Sequence, residues 1–426
     1  MSLDAHPLRP QRVAIVGAGI SGLAAAYLLA PHYAVTLYEA APRLGGHART
    51  VMAGRNGDQA VDTGFIVFNY ANYPHLTRMF MDLDVPVKRS DMSFGASVDE
   101  GRIEYALRNL RGVFGQRRNL MRPGFLRMLR DIARFNARAE ATATDDSMTI
   151  GDLIDRLVLG EWFQRYYLLP ICGAIWSTPP DEVAAFPART LVRFFRNHAL
   201  LSAGGQHQWW TVDGGSIEYV RRLEHHLRGR GVAIHTGRPV ASVTRDGCQC
   251  TVHVAGQRPE TFDQLILACH SDQALRILAQ PTPQETAALS AIRYQNNHAV
   301  LHCDARLMPR RRACWSSWVY NADTSREAAA IGVTYWMNRL QGIPESDPLF
   351  VTLNPVREVA KDRIYDSTVF RHPVFDHAAV RAQAALHDLQ GANNTWFAGA
   401  YTRHGFHEDG FASAVRIVRG MERQFA

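Results

Sequence analysis

An α/β architecture is predicted for this chain, and three observations predict it. A β-branched run, Val13–Val16, breaks into the glycine turn Gly17-Ala18-Gly19-Ile20-Ser21-Gly22 and then into the helix-forming "LAAAYLLA". A second strand, "AVTLYEA", ends on Glu39, 22 residues after Gly17. At the far end of the chain a buried strand through Ala398, a loop, and a helix opening near Gly410 follow in "TWFAGAYTRHGFHEDGFASAVRIVRG". Together these describe a Rossmann-like dinucleotide domain assembled from both ends of the sequence, with a second unit of sheet and helices interleaved.

The glycine turn comes first because its chemistry is the most specific. Gly17 permits the tight turn, Gly19 lets the backbone approach a pyrophosphate with no Cβ in the way, and Gly22 lets helix and strand pack closely. The helix N-terminus, with Ile20 and Ser21 in its first turn, then offers unpaired N–H groups and a partial positive charge to phosphates. Glu39 is placed to accept hydrogen bonds from both ribose hydroxyls of an adenosine, which disfavours a 2′-phosphate and hence NADP. NAD and FAD share this half-site, so it does not separate them.

Further along, "VDGGSIEYVRRLEHHL" repeats the pattern of strand end, glycines and helix. The runs "GVAIHTGRPVASVTRDG", "CTVHVAG" and "FDQLILAC" read as a β-meander followed by a buried strand. The stretches from Pro74 to Gly204 and from Ser271 to Gly391 are rich in bulky rings, among them Trp162, Phe163, Tyr166, Tyr167, Trp176, Phe194, Phe195, Trp315, Trp318, Tyr335 and Trp336. "IGVTYWMNRL" and "LFVTLNP" read as strands whose inward faces wall a pocket.

Composition bounds the rest. With 46% hydrophobic residues over 426 positions the chain can bury a large core. The N-terminal "MSLDAHPLRPQR" has no apolar run, and no stretch approaches the roughly 20 apolar residues of a spanning helix. A cytoplasmic protein with reduced thiols is therefore expected. Formal charge is +7, and Lys88 and Lys361 are the only lysines. Between Arg108 and Arg138 nine arginines and one acid, Asp131, interleave with apolar residues. That pattern describes either a solvated arginine face or a basic amphipathic surface on an anionic membrane, peripheral to the inner face. No reader motif accompanies it, so nucleic acid is not expected as a partner. The 18 histidines look scattered and mostly solvent-facing, with no Ser-His-Asp or zinc-site spacing and no metal site.

The segment after Glu39 and Ala40, "APRLGGHART", resembles the extended motif of the flavin amine oxidase and phytoene desaturase-like superfamily, as do "VDTGFIVFN" and "GFHEDG". The resemblance covers nearly the whole chain. It implies the FAD-binding fold of the amine oxidase type, with residues 1–73, 205–270 and 392–426 as the FAD-binding domain and 74–204 and 271–391 as the substrate domain. It implies FAD contacts at Arg43, Gly45, Gly46, His47 and Arg49, at Thr63, Gly64 and Phe65, at the Val240 backbone against the adenine, and at Gly399, Ala400, Glu408, Asp409, Gly410 and Phe411. Non-covalent FAD is expected, since no cysteine occurs in "GAYTRHGFHEDG".

Within the superfamily the chain is similar to a bacterial subgroup of predicted FAD-binding oxidoreductases that accompany lipid-modifying methyltransferases. That implies oxidation or desaturation of a fatty acyl or isoprenoid chain, with a lipid-modifying enzyme as partner and Tyr401, Tyr335 and Trp336 on the substrate side. Amine oxidation, a flavin-dependent isomerisation and a non-catalytic lipid-delivery role stay open. Neither lysine sits at an obvious match to the lysine typical of amine oxidases. His404 is the candidate proton relay beside the flavin rim.

Overall fold

A computed structural model describes residues 10–145, 147–176, 183–197, 201, 207–323 and 332–425, without the side chains of residues 173–176, 194, 197 and 425. The rings of Trp176 and Phe194, and the boundary expected at 204/205, lie outside the described residues.

The predicted α/β core is present. Strands Thr395–Phe397, Gln264–Leu267, Arg12–Val16, Ala34–Tyr38 and Ala233–His235 lie in that spatial order in one sheet, and all its pairs are parallel. The chain reaches the two strands beside Arg12–Val16 in opposite directions, which makes the crevice at their carboxyl ends the ligand position of such a sheet. Alternation divides the sheet between two cores. Val13, Ile15 and Ile266 face the first helix, Ile20–Leu29, and the C-terminal helix, while Ala14, Leu265 and Leu267 face the β-meander. That meander is the three-stranded antiparallel sheet Val240–Arg245, Cys250–Val254 and Glu260–Phe262, whereas the first strand of the predicted run, Ala233–His235, joins the parallel sheet instead.

A seven-stranded sheet forms the other half. Its order is Ile364–Pro373, Tyr294–His302, Phe350–Leu353, Gly332–Trp336, Trp318–Ala322, Phe94–Val98 and Ile103–Ala106, with one parallel pair between Trp318–Ala322 and Phe94–Val98. Helices Pro123–Thr142, Ile150–Arg156 and Ala188–Asn197 contribute to the same core through Phe125, Met128, Phe135, Leu153 and Leu191.

Two expectations change. The C-terminal helix runs His407–Phe425, opening three residues before Gly410, because Asp409 accepts a hydrogen bond from Phe406 N at 3.0 Å and so caps its own first turn. "IGVTYWMNRL" is a strand only through Trp336 and then turns into a short helix, Met337–Leu340. All six cysteines are unpaired; Cys172, Cys250 and Cys314 are buried, whereas Cys248 is exposed. No helix among the described residues is long and apolar enough to cross a membrane.

Candidate functional site

The glycine turn is built as its sequence requires. Gly17 has φ +102°, a conformation that L side chains rarely adopt, and its N–H bonds Tyr38 O at 2.8 Å. A Cβ at Gly22 would stand 1.8 Å from Gly17 O. A Cβ at Gly19 would meet nothing within 4 Å, so the space in front of the first helix is open where an anion would sit. Glu39 closes one side, its two oxygens accepting from Ala18 N at 2.7 Å and Ala41 N at 2.8 Å. Ala40 is exposed beside it. Arg238 N bonds Glu39 O at 2.9 Å and Gly237 N bonds Ala41 O at 2.8 Å, which brings the chain leading to Val240 against the ribose side.

The segment 43–49 folds over the turn. Gly45 N bonds Ala18 O at 2.9 Å, and a Cβ at Gly46 would lie 3.0 Å from Gly19 Cα. The two arginines here differ. Among the described residues Arg43 bonds only carbonyls of its own loop, Leu44, Gly46 and Ala48, and retains its charge for an anion. Arg49 makes a two-point ion pair with Asp366, at 2.6 and 3.0 Å, so it ties the loop to the seven-stranded sheet. Thr63 N bonds Arg49 O and Phe65 N bonds His47 O, each at 2.9 Å, and Gly64 fits because a Cβ there would lie 2.0 Å from His47 O.

From the C-terminal end, Gly410 packs on the first helix so closely that a Cβ would lie 2.8 Å from Ile20 Cγ2 and from Ser21 Oγ. Gly399 N bonds Ser413 Oγ at 3.0 Å, Ala400 follows it, and Phe411 is buried. Glu408 is turned the other way, its oxygens accepting from His75 N and Leu76 N at 3.0 Å each at the start of helix Pro74–Asp82. Burial raises its pKa to about 7 and that of Asp409 to about 6.

Four of the histidines, His47, His270, His372 and His407, gather at this site. His47 lies 5.9 Å from His270 and 5.5 Å from His372 between ring centroids, with Phe370 stacked on His47 at 5.0 Å and Tyr294 on His270 at 4.4 Å. His407 stacks on Phe65 at 3.9 Å and bonds Tyr219 Oη at 2.7 Å. Sequence reading missed His270, His372, His407, Tyr219 and Tyr294, because residues 47, 270, 372 and 407 are far apart in sequence and are brought near one another only by the fold. Burial pushes His47 and His270 down to about 4 and His372 and His407 down to about 3, so all four are neutral near pH 7. His404 is half-buried, and its backbone N–H also bonds Asp409.

Protonation of these buried rings gives a sign to the pH dependence. A histidine whose folded pKa is lowered stabilises the fold above its unfolded value near 6.5 and loses that contribution as pH falls through about 4. For His47 and His270 the loss is roughly 3 kcal/mol each. Asp62 and Asp409, raised by burial to about 6, run oppositely, favouring the fold below pH 4 and losing that as pH rises through 6. His47→Gln is expected to flatten the acid limb of a thermal-stability profile between pH 6.5 and 4; an unchanged slope would place the ring in solvent.

The predicted substrate residues do not share a wall. Tyr335 faces the large core with Ile66 and Phe370, whereas its neighbour Trp336 faces a small cluster with Met308, Val319 and Phe350, as alternation along a strand demands. Tyr401 is buried with Phe397 and Leu267 on the meander side of the parallel sheet.

Among the described residues eleven buried polar atoms lack a partner, and five of them belong to this crevice: His47 Nε2, His270 Nδ1, Ser271 Oγ, Asp272 Oδ1 and Tyr401 Oη. Such atoms call for a polar ligand. With the open space at Gly19 and the guanidinium of Arg43, which bonds carbonyls and no carboxylate among the described residues, they fit a dinucleotide laid from Glu39 across the first helix toward the C-terminal helix.

Fold and site thus define a dinucleotide-binding α/β protein with a second sheet roofing its crevice. Residues 20–421 match the model of the flavin containing amine oxidoreductases, and the chain belongs to that family. It is an FAD-dependent oxidoreductase. No curated protein matches the sequence. Similar solved structures include a fatty acid isomerase from P. acnes that produces CLA (14% identity, TM-score 0.66, 96% of this chain and 98% of that one). They also include cyclohexylamine oxidase from Brevibacterium oxydans IH-35A (16%, 0.63, 97% and 100%) and reduced UDP-galactopyranose mutase (15%, 0.69, 97% and 96%). At these identities they show the fold.

Proposed function

We propose that this flavoprotein oxidises or desaturates a hydrophobic substrate, a fatty acyl or isoprenoid chain. The observation that carries the reading is the buried apolar core beside the crevice. Ile66 leaves the flavin-side segment 61–69 directly into a core shared with Tyr335, Phe370, Phe375 and Met337, with Val67 and Phe406 packed against it. Apolar surroundings of this kind suit an acyl chain, and the neutral imidazoles at the crevice supply no fixed charge to hold a cationic amine. FAD, when bound, accepts a hydride equivalent at N5.

The protein's part is to bind and orient. In this reading Gly17–Gly22, Glu39, Ala40, Arg43, Gly45–His47, Thr63–Phe65, Val240, Gly399, Ala400, Gly410 and Phe411 hold the cofactor. Arg49, Glu408 and Asp409 position the loops that do so, since their charged groups are engaged with Asp366, the Pro74 helix and the C-terminal helix start. The C-terminal helix, aimed by Gly410 against the first helix, presents its positive end to developing negative charge. Tyr335 is the substrate-side ring. His404 exchanges the proton.

Residues 1–73, 205–270 and 392–426 form the FAD-binding domain in this reading, and 74–204 and 271–391 the substrate domain. Membership of the two large sheets supports the division, and the ladder between Val87–Ser90 and Trp209–Val212 crosses it.

Amine oxidation is the second reading, favoured by family membership. Against it, Lys88 is engaged at 2.8 Å by Asp213 and is about a third exposed (37%). The test is anaerobic reduction followed by flavin absorbance. Bleaching by long-chain acyl or isoprenoid lipids and none by primary amines is expected; bleaching by amines alone would overturn the assignment. Unchanged reduction in His404→Gln would remove the proton role.

A further inference from the structure

The segment richest in arginine also carries apolar side chains on its outer surface. Leu110 is 77% exposed, Met121 79%, Leu120 53% and Leu126 44%, four of the eleven exposed large apolar residues among the described ones, within 17 positions. They lie on the short helix Leu110–Val113, the 3-10 turn Arg117–Met121 and the start of the helix Pro123–Thr142. That long helix packs Phe125, Met128, Asp131, Phe135 and Ala139 inward. Leu126, Arg127, Arg130 and Arg138 are left exposed. Arg134 reaches the carbonyls of Leu157 and Val158, which adds Val158, 75% exposed, beside the helix.

The cations on this face are largely uncommitted. Arg111, Arg117, Arg118, Arg127 and Arg138 have no carboxylate partner among the described residues. Next to Leu110 a cavity of about 370 Å³ opens, lined by Arg108, Arg111, Arg312, Arg339 and two rings. Arg312 lies 3.9 Å over Trp315 and 4.4 Å over Trp336. Glu345 neutralises part of that charge, at 2.7 Å from Arg312, and Asp91 lies 3.9 Å from Arg108 and 3.7 Å from Arg339. Among the described residues, Arg111 is the one of the four without such an acid. Trp336, which alternation turns away from the crevice, finds its place here.

Leucine and methionine tips among uncommitted guanidiniums fit one surface chemistry. Phosphates attract the cations while the apolar tips enter the acyl boundary. A nucleic acid would meet the charges but leave the exposed Leu110, Leu120, Met121 and Leu126 in water. The geometry points to this face as the docking surface for a bilayer containing anionic phospholipid, with the cavity beside Leu110 receiving a phosphate headgroup. The inference adds a partner to the acyl-chain reading and rests on it only for its purpose.

Vesicle binding needs no turnover, so it fails or succeeds separately from the oxidation assay. The holoprotein is expected to sediment with vesicles of one third phosphatidylglycerol in phosphatidylcholine and to leave them at about 0.5 M salt, where the charges are screened. It is expected to stay in solution with pure phosphatidylcholine, and free glycerol phosphate is not expected to displace it. Arg117→Glu with Arg118→Glu should weaken binding at least about a hundredfold. Leu110→Ser with Met121→Ser should weaken it about tenfold. Both double variants are expected to keep the flavin spectrum and melting temperature, as these side chains face outward. Equal sedimentation with pure phosphatidylcholine, wild-type binding in both variants, or retention by an oligonucleotide without vesicle binding would each overturn the assignment.

Discussion

Gly19→Val is expected to fold and to lose its flavin. The residue has φ −73° and ψ −175°, which any residue adopts, and its missing Cβ points into open space. A valine there costs the apoprotein about 1 kcal/mol or less as a poorer helix cap. In the holoprotein the same side chain fills the approach to the first helix N-terminus, where the pyrophosphate must lie against backbone. Gly22→Val separates the two roles. Its Cβ would stand 1.8 Å from the Gly17 carbonyl oxygen, so strand and helix must part, at about 3 kcal/mol or more. Absorbance of purified protein reads flavin content, and urea unfolding of the apoproteins reads the fold. A flavin-replete Gly19→Val, or an apoprotein as stable in Gly22→Val as in wild type, would contradict this account.

Asp62→Ala is expected to be the most damaging single change away from the glycine turn. Asp62 is buried, and its carboxylate accepts from Ser216 N at 2.8 and 3.0 Å, Ser216 Oγ at 2.7 Å, Thr50 Oγ1 at 2.6 Å and Gln341 Nε2 at 3.0 Å. Those partners come from the start of helix Ile217–Gly229, the hairpin that carries Thr50, and the short segment beside the seven-stranded sheet. Removing the carboxylate leaves several buried donors unpaired, at roughly 3 to 5 kcal/mol. Asp62→Asn retains one acceptor oxygen and should fall between wild type and alanine in urea midpoint. A midpoint unchanged in Asp62→Ala would mean that the two halves are held together elsewhere.

The legibility of the sequence was uneven, for reasons that differ by residue. Gly17 and Gly22 were readable because each answers a local demand: a left-handed φ, or a carbonyl within 2 Å of a hypothetical Cβ. The β-meander was readable because alternation and turn residues are properties of neighbouring positions. Arg43 and Arg49 looked equivalent in "RLGGHAR". Only the position of Asp366, 317 residues away, assigns one to an ion pair and leaves the other for an anion. Tyr335 and Trp336 looked like a pair, yet consecutive residues on a strand must face opposite ways.

The sequence by itself determined the dinucleotide half-site, the parallel sheet and the family resemblance, since these rest on local backbone geometry at fixed spacing. Tertiary structure alone decided which polar groups stand together without water. His47, His270, His372 and His407, and Asp62 with Ser216 and Gln341, are drawn from distant segments. Their proximity, and the burial that keeps the imidazoles neutral, exist only in the folded chain.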